Sequence, residues 1–331
     1  MTDTFAALQT QSHADTFVTR LVRRSLDQLP PGEVLIRVQW SSLNYKDALS
    51  ATGNKGVTRN YPHTPGIDAA GVVVTDTSGQ FAAGSEVLVT GYDLGMDTAG
   101  GYGEYIRVPA GWVLPLPAGM TTREAMLYGT AGLTAGLCVQ ALLDAGVAPG
   151  NGDILVTGAS GGVGAVAVAL LAHLGFTVVA SSGKAEAAEW LRELGASEVV
   201  GRDEVLAAAG RPIGKPRWAG AVDTLGGEPL ASVVKSTAYG GTVACCGLAA
   251  SADLPLTVLP FILRNVRLLG VDSVEQPLAA KAAIWQRLAG DWRVPVLAQL
   301  CTAEVELEAL PPWFSTILAG GVRGRVLVKL G

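Results

Sequence analysis

Through the first third of the chain, apolar residues come in short runs broken by turn residues. The runs fall at 6–8, 17–20, 34–40, 71–74, 86–90, 103–107 and 113–115, with Pro30-Pro31-Gly32 and Ala82-Ala83-Gly84-Ser85 among the separators. This spacing predicts a β-rich region to about Arg123. The pattern changes at 121–143, a small-residue-rich stretch that reads as helix and contains Gly129-Thr130-Ala131-Gly132. Strands and helices then alternate, with strands predicted at 154–157, 177–180, 198–200, 220–223, 241–246 and 266–271. That alternation predicts an α/β fold with a doubly wound parallel sheet. Residues 279–331 give a helix, a few short strands and a last apolar run at 325–330. This run has no neighbour of its own and is expected to rejoin the N-terminal domain. There is no internal repeat.

The stretch 153–174 carries the second half's chemistry. Ile154-Leu155-Val156 reads as a buried strand, Gly158, Gly161, Gly162 and Gly164 as a turn, and the apolar residues through His173 as a helix. Glycines let the backbone approach a pyrophosphate, and a helix N-terminus offers it unpaired N–H groups. Ala159 takes the first position of the dinucleotide fingerprint, while Gly161 and Gly164 keep the other two. A plain structural turn uses such glycines as well. The second strand that follows completes a βαβ unit and favours the nucleotide.

The end of that second strand bears on which nucleotide. A carboxylate there holds a free ribose 2′-hydroxyl. Here Ser181-Ser182-Gly183-Lys184 precedes any carboxylate, and Arg202 follows the next apolar run. Hydroxyls, an ammonium and a guanidinium suit a 2′-phosphate, so NADPH is expected over NADH. The plainer alternative for Lys184 is a solvated first turn of helix.

Composition narrows the class. The 331 residues suffice for two ordinary domains, and 49% hydrophobic against 16% charged residues describes a folded chain. A formal net charge of −5 gives no basic footprint for nucleic acid. Cys138, Cys245, Cys246 and Cys301 lie in apolar contexts without metal-ligand spacing and read as buried, reduced thiols of a cytoplasmic protein. The opening residues show no signal-peptide pattern, and the apolar stretch at 165–174 is too short for a membrane span. Neither export nor a membrane partner is expected.

The order of these motifs resembles the medium-chain dehydrogenase/reductase superfamily over essentially the whole chain. SLNYKDAL at 42–49, PGIDAAG at 65–71 and GVDSV at 270–274 are similar to its acryloyl-CoA reductase branch, whose members are also labelled quinone oxidoreductases. The resemblance implies a GroES-like catalytic domain at 1–126 with 276–331, and a Rossmann NADPH-binding domain at 127–275. The superfamily's alcohol dehydrogenases place a catalytic zinc on a cysteine, a Gly-His-Glu segment and a later cysteine. At the first two places this chain has Asn44 and Ile67-Asp68, and 92–103 lacks the four cysteines of their structural zinc lobe. With three histidines in all, no metal is expected.

Without a metal, hydride transfer needs an acceptor that is already electrophilic, such as an alkene conjugated to a thioester or ketone. The protein then positions the substrate and stabilises a developing oxyanion. For the family resembled, this means NADPH-dependent reduction of acryloyl-CoA to propionyl-CoA, with quinones as the looser alternative. The catalytic candidates are Tyr45, Asn44 and Asp47. By resemblance Tyr45 lies at the nicotinamide end, where its phenol either donates to an enolate or only packs. Asn44 and Asp47 read as loop-fixing groups before chemical ones, since an Asp beside a helix start commonly caps it. Asp68 reads as a buried carboxylate paired with a cation.

Ser160, Gly161, Gly162 and Val163 are expected at the pyrophosphate, and Ser181, Ser182, Gly183, Lys184 and Arg202 at the 2′-phosphate. Resemblance adds Leu248, Ile262 and Ser273, with Tyr45, around the nicotinamide; core packing is the alternative for Leu248 and Ile262. Tyr92 and Arg323 are the substrate-binding candidates, against surface solvation for the arginine. The apolar edge candidate at 266–271 suggests a homodimer. A non-catalytic NADPH-binding sensor is the competing functional class, because fold alone does not prove turnover.

Overall fold

The computed structural model describes residues 4–14 and 16–331. The chain forms two compact units, one of residues 1–130, 273–289 and 301–331, the other of 131–272 and 290–300. The sequence placed all of 276–331 in the first unit; the short segment 290–300 groups instead with the second. Its tie there is visible: the Trp190 indole N–H donates to the Gln299 carbonyl at 3.1 Å, and His173 Nε2 lies 3.0 Å from the Asp291 carbonyl oxygen.

The first unit is built on a seven-stranded sheet. Its long strand Val34–Ser42 pairs antiparallel with Asp68–Asp76 on one edge, and its other edge is shared between Tyr105–Val108 and Arg325–Lys329. Glu86–Thr90 and Val113–Pro115 extend the sheet on one side. Cys301–Glu306 extends it on the other, parallel to Arg325–Lys329. The last strand therefore does rejoin the N-terminal sheet, but it has the neighbour at 301–306 that the sequence did not supply. A separate hairpin, Thr4–His13 with Thr16–Ser25, joins the unit through Ala7–Gly103 and Thr10–His63 bridges. Val34, Ile36, Val38, Val73, Val87, Val89 and Ile106 fill the core, as alternation along half-buried strands requires.

The second unit holds six parallel strands in the order 198–200, 178–181, 154–156, 218–223, 237–245, 267–270. In sequence terms this is 3-2-1-4-5-6, the doubly wound order whose crevice opens at the carboxyl ends of the two central strands. The helix Gly162–His173 is apolar on every side, and Gly164 through Leu171 are all buried. The long helix Thr122–Asp144 matches the predicted stretch but is broken at Gly129, which has φ 53° and ψ −156°. By length and composition it is apolar enough to cross a membrane, yet 72% of that window is buried in the fold. Of the four cysteines only Cys138 is fully buried; Cys245, Cys246 and Cys301 are half-buried, so the expectation of four buried thiols is corrected.

Candidate active site

The glycine turn forms as its spacing requires. Gly158 adopts φ 58°, and a side chain there would run into the Thr224 hydroxyl. Gly164 packs so closely on the Gly158 carbonyl that a Cβ would overlap it, which seats the first helical turn on the loop. Gly161 is the N-cap of Gly162–His173, so the amides of Gly162 and Val163 lie in the first turn, where no intrahelical acceptor exists. At the switch point the two central strands are tied together. The Thr157 hydroxyl donates to Asp223 Oδ1 at 2.7 Å, and the Thr224 amide donates back to Thr157 Oγ1 at 3.0 Å. Asp223 Oδ2 accepts from the Gly226 amide at 2.7 Å, and burial pushes its carboxyl above the usual range. Nothing in the glycine motif pointed to Asp223 or Thr224; only the strand order brings them to the turn.

The expected 2′-phosphate residues converge at the neighbouring strand end. Ser182 Oγ donates to Ser160 Oγ at 3.1 Å and accepts from the Lys184 amide at 3.1 Å. Arg202 lies across Gly183, so close that any side chain at 183 would displace its guanidinium. The set therefore comprises two hydroxyls, an ammonium-bearing residue and a guanidinium, with no carboxylate among them. That donor chemistry fits a phosphorylated ribose. Ser181 is only 3% exposed and its carbonyl accepts from the Ala159 amide, so it braces the turn. Leu248 and Ile262 are 66% and 69% exposed, which excludes the core-packing alternative for both.

In the first unit the SLNYKDAL loop rests on a buried polar network. Asn44 caps Tyr45–Ala51, and Asp47 completes a capping box by accepting from the Asn44 amide at 2.8 Å. Asp47 is wholly buried and also accepts from the Ile67 amide at 2.8 Å and the Tyr102 hydroxyl at 2.9 Å. Burial first, and then the nearby Asp68 charge, push its carboxyl up to about 7 against the pull of those donors. Asp68, also fully buried, accepts from Ser42 Oγ at 2.6 Å, Asn44 Nδ2 at 2.8 Å and the Thr130 hydroxyl at 2.6 Å. The Thr130 amide, released from the helical ladder by the Gly129 break, donates to it as well at 3.0 Å. Asp68 thus accepts from both the amide and the hydroxyl of Thr130 at the break.

The cation expected beside Asp68 is Arg325, which is 3% exposed. It donates to Ser42 Oγ at 2.7 Å, to Asn44 Oδ1 and the Leu43 carbonyl at 3.2 Å, and to the Leu127 carbonyl at 3.2 Å. Both ends of the Asn44 amide are consumed by Asp68 and Arg325. Asn44 and Asp47 are accordingly loop-fixing groups, the first of the two readings. Tyr45, the first helical residue, is 44% exposed.

The two substrate candidates fare differently. Tyr92 is clamped: its hydroxyl donates to the Gln276 carbonyl at 3.0 Å, and its ring stacks on Trp112. Arg323 is exposed in the turn before the last strand, where its carbonyl accepts from the Thr302 hydroxyl. Ser273 is buried beside Gly91.

Protonation of Asp47 gives a testable pH dependence. A carboxyl held at about 7 in the fold against an ordinary 3.8 stabilises the fold most when protonated. That contribution is full below about pH 4 and is lost as pH rises through about 7. The thermal midpoint of the wild type is expected to fall between pH 5 and pH 8 more steeply than that of Asp47→Asn. Parallel slopes in the two proteins would contradict the assignment.

The donor set does not fit a zinc ion. The residues at the first two ligand positions, Asn44 and Asp68, spend their polar atoms on each other, Ser42, Thr130 and Arg325. Among the described residues no three His, Cys, Asp or Glu side chains converge.

Comparison with known proteins agrees with this architecture. Residues 30–118 match the alcohol dehydrogenase GroES-like domain, and residues 162–287 match the zinc-binding dehydrogenase domain. The chain is 47% identical over 306 residues to the acrylyl-CoA reductase AcuI of Ruegeria pomeroyi, covering 92% of each chain. An Escherichia coli protein named "Probable acrylyl-CoA reductase AcuI" is 51% identical over 309 residues, covering 93% of this chain and 94% of that one. Among solved structures, the yhdH oxidoreductase of Salmonella enterica in complex with NADP superposes with a TM-score of 0.95 at 48% identity, covering 98% of this chain and 100% of that one. The yhfP protein of Bacillus subtilis with NAD bound gives 0.96 at 45% identity, covering 99% of both.

Proposed function

The chain belongs to the medium-chain dehydrogenase/reductase superfamily, and we propose that it uses NADPH to reduce the activated double bond of a short enoyl-CoA, acryloyl-CoA to propionyl-CoA first of all. The observation that carries this reading is the Asn44–Asp68–Arg325 network, which fills with hydrogen bonds the region where a Lewis acid would otherwise be ligated. An enzyme with such a site needs a substrate that is electrophilic on its own, and an enoyl thioester is one. The names of relatives at 47% and 51% identity support that substrate class.

When bound, NADPH supplies the hydride that goes to the β-carbon. The second unit is the proposed cofactor domain. There the first-turn amides of Gly162 and Val163, with Ser160, take the pyrophosphate, while Gly161, whose own amide donates to the Gly158 carbonyl at 2.9 Å, holds the helix start beside it. Ser182, Lys184 and Arg202 hold the 2′-phosphate, with Gly183 leaving room for the guanidinium and Ser181 bracing the strand end. Leu248 and Ile262 offer exposed apolar faces to the cofactor, and Ser273, in the first unit, is the proposed nicotinamide contact there. The first unit is the proposed catalytic domain. Its Tyr45 phenol donates to the thioester oxygen as enolate charge develops, while Asn44 and Asp47 hold the helix start that aims it. Arg323, exposed before the last strand, is the proposed contact for a phosphate of the acyl-CoA.

Following NADPH absorbance with acryloyl-CoA, crotonyl-CoA and a benzoquinone in parallel tests the reading. Oxidation with the thioesters and little with the quinone is expected. The opposite order would favour a quinone reductase, and no oxidation with any of the three a non-catalytic sensor.

The protein is proposed to be a cytoplasmic homodimer. Arg267–Gly270 is the edge strand of the second unit's sheet, and Val258 and Leu263 are 64% and 59% exposed nearby in sequence. A second copy extending the sheet would cover both. Light scattering should give twice the chain mass of 34.0 kDa, and a monomer mass would refute the dimer. Cell fractionation checks the compartment.

A further inference from the structure

Lys281 lies on the helix Leu278–Ala289 and is 1% exposed. Its ammonium donates to the Thr90 and Val274 carbonyls, each at 2.8 Å, and stands 3.3 Å from the centre of the Tyr92 ring. That ring also stacks on Trp112, with centroids 5.5 Å apart and planes 13° from parallel. The Tyr92 amide donates to the Val274 carbonyl at 3.1 Å and its hydroxyl to the Gln276 carbonyl. Gly91 and Tyr92 adopt φ 74° and 51°, two consecutive left-handed residues, and a Cβ on Gly91 would come within 3.1 Å of both Lys281 Nζ and the Ser273 carbonyl.

Two features of this clamp point beyond stability. A left-handed tyrosine is strained and persists only where its surroundings over-determine it, a condition met most often at binding and catalytic sites. A buried ammonium is also an expensive way to fill space, since an apolar side chain of similar volume packs without the desolvation cost. What an apolar side chain does not do is hold two carbonyls and an aromatic face at once. The clamp fixes Tyr92 and the Ser273–Val274 peptide against each other within one unit.

We propose that Lys281 is a positioning residue of the enoyl-thioester site, acting through Tyr92 to give the acyl-CoA a rigid wall. The proposal rests on the reading of the protein as an enoyl-CoA reductase and adds to it a residue that sets substrate affinity.

The test is steady-state kinetics on wild type, Lys281→Met, Tyr92→Leu and the double variant, varying acryloyl-CoA at saturating NADPH. Each single variant is expected to raise KM for acryloyl-CoA about tenfold, with kcat within about threefold. The double variant should be no worse than either alone, because both remove the same wall. The preference for NADPH over NADH, set by the other unit, should stay as in the wild type. A purely structural lysine would instead lower kcat with the folded fraction and leave KM unchanged, and that result overturns the proposal. Additive losses in the double variant would overturn it too. Should Lys281→Met not fold, Tyr92→Phe and Tyr92→Leu decide. The first keeps the ring on Lys281 and should keep KM, the second should raise it, and equal KM values refute the idea. An inactive wild type sinks the enzyme reading itself, whereas an active wild type with unmoved variants sinks only the role of Lys281.

Discussion

Replacing Arg202 with alanine is expected to raise KM for NADPH by about one to two orders of magnitude. A charge-assisted hydrogen bond to a phosphate contributes about 1.5–3 kcal/mol, and each 1.4 kcal/mol is tenfold. The guanidinium lies over Gly183, which Ser182 and Lys184 flank in sequence, where a 2′-phosphate would be received. Because that phosphate does not react, the loss falls on binding alone, so kcat at saturating NADPH should change little. KM for NADH should be nearly unaffected, since NADH carries no group for Arg202 to hold. Lys184→Ala should act in the same direction. An equal loss with both coenzymes would show that Arg202 supports the turn rather than reads the phosphate.

Arg325→Met is expected to destabilise the first unit by about 3–5 kcal/mol, the usual cost of stripping the partner from a buried charge. Asp68 is 0% exposed, and Arg325 is its buried cation. Burial lowers the arginine's own pKa, while Asp68 and Asp47 act to raise it, which marks how closely the three charges depend on one another. The urea midpoint measures the loss. Adding Asp68→Asn should recover part of it by removing the orphaned carboxylate. Full recovery is not expected, because Asp68 also holds Asn44 and Thr130. A single variant within about 1 kcal/mol of wild type would show that the network needs no cation.

The parts of this protein legible in its sequence are those encoded by local pattern. Ile154-Leu155-Val156, the glycines and the apolar helix to His173 are contiguous, so the strand, turn and helix could be placed nearly residue by residue. The grouping of Ser182, Gly183 and Arg202 at one strand end was legible because a strand end has a fixed relation to the turn before it. The parts that escaped depend on chain closure. Arg325 opens an apolar run and reads as a strand's solvated first residue; pairing with a strand some 280 positions earlier buries it against Asp68. Lys281 sits in an alanine-rich helix, where nothing local separates a buried lysine from an exposed one. The break at Gly129 lies in a run of small residues that reads as continuous helix, and only the carboxylate waiting on another strand rewards it. Tyr92 reads in the sequence as a surface for substrate, while the partners that clamp it, Trp112 and the Gln276 carbonyl, lie in other segments of the chain.

The most direct measurement uses NADPH carrying deuterium at the transferring position of C4, acryloyl-CoA and enzyme treated with a metal chelator. Propionyl-CoA with one deuterium on the β-carbon, formed at the rate of untreated enzyme, is expected. Absence of label on that carbon, or turnover that chelation abolishes and zinc restores, would contradict metal-free hydride transfer.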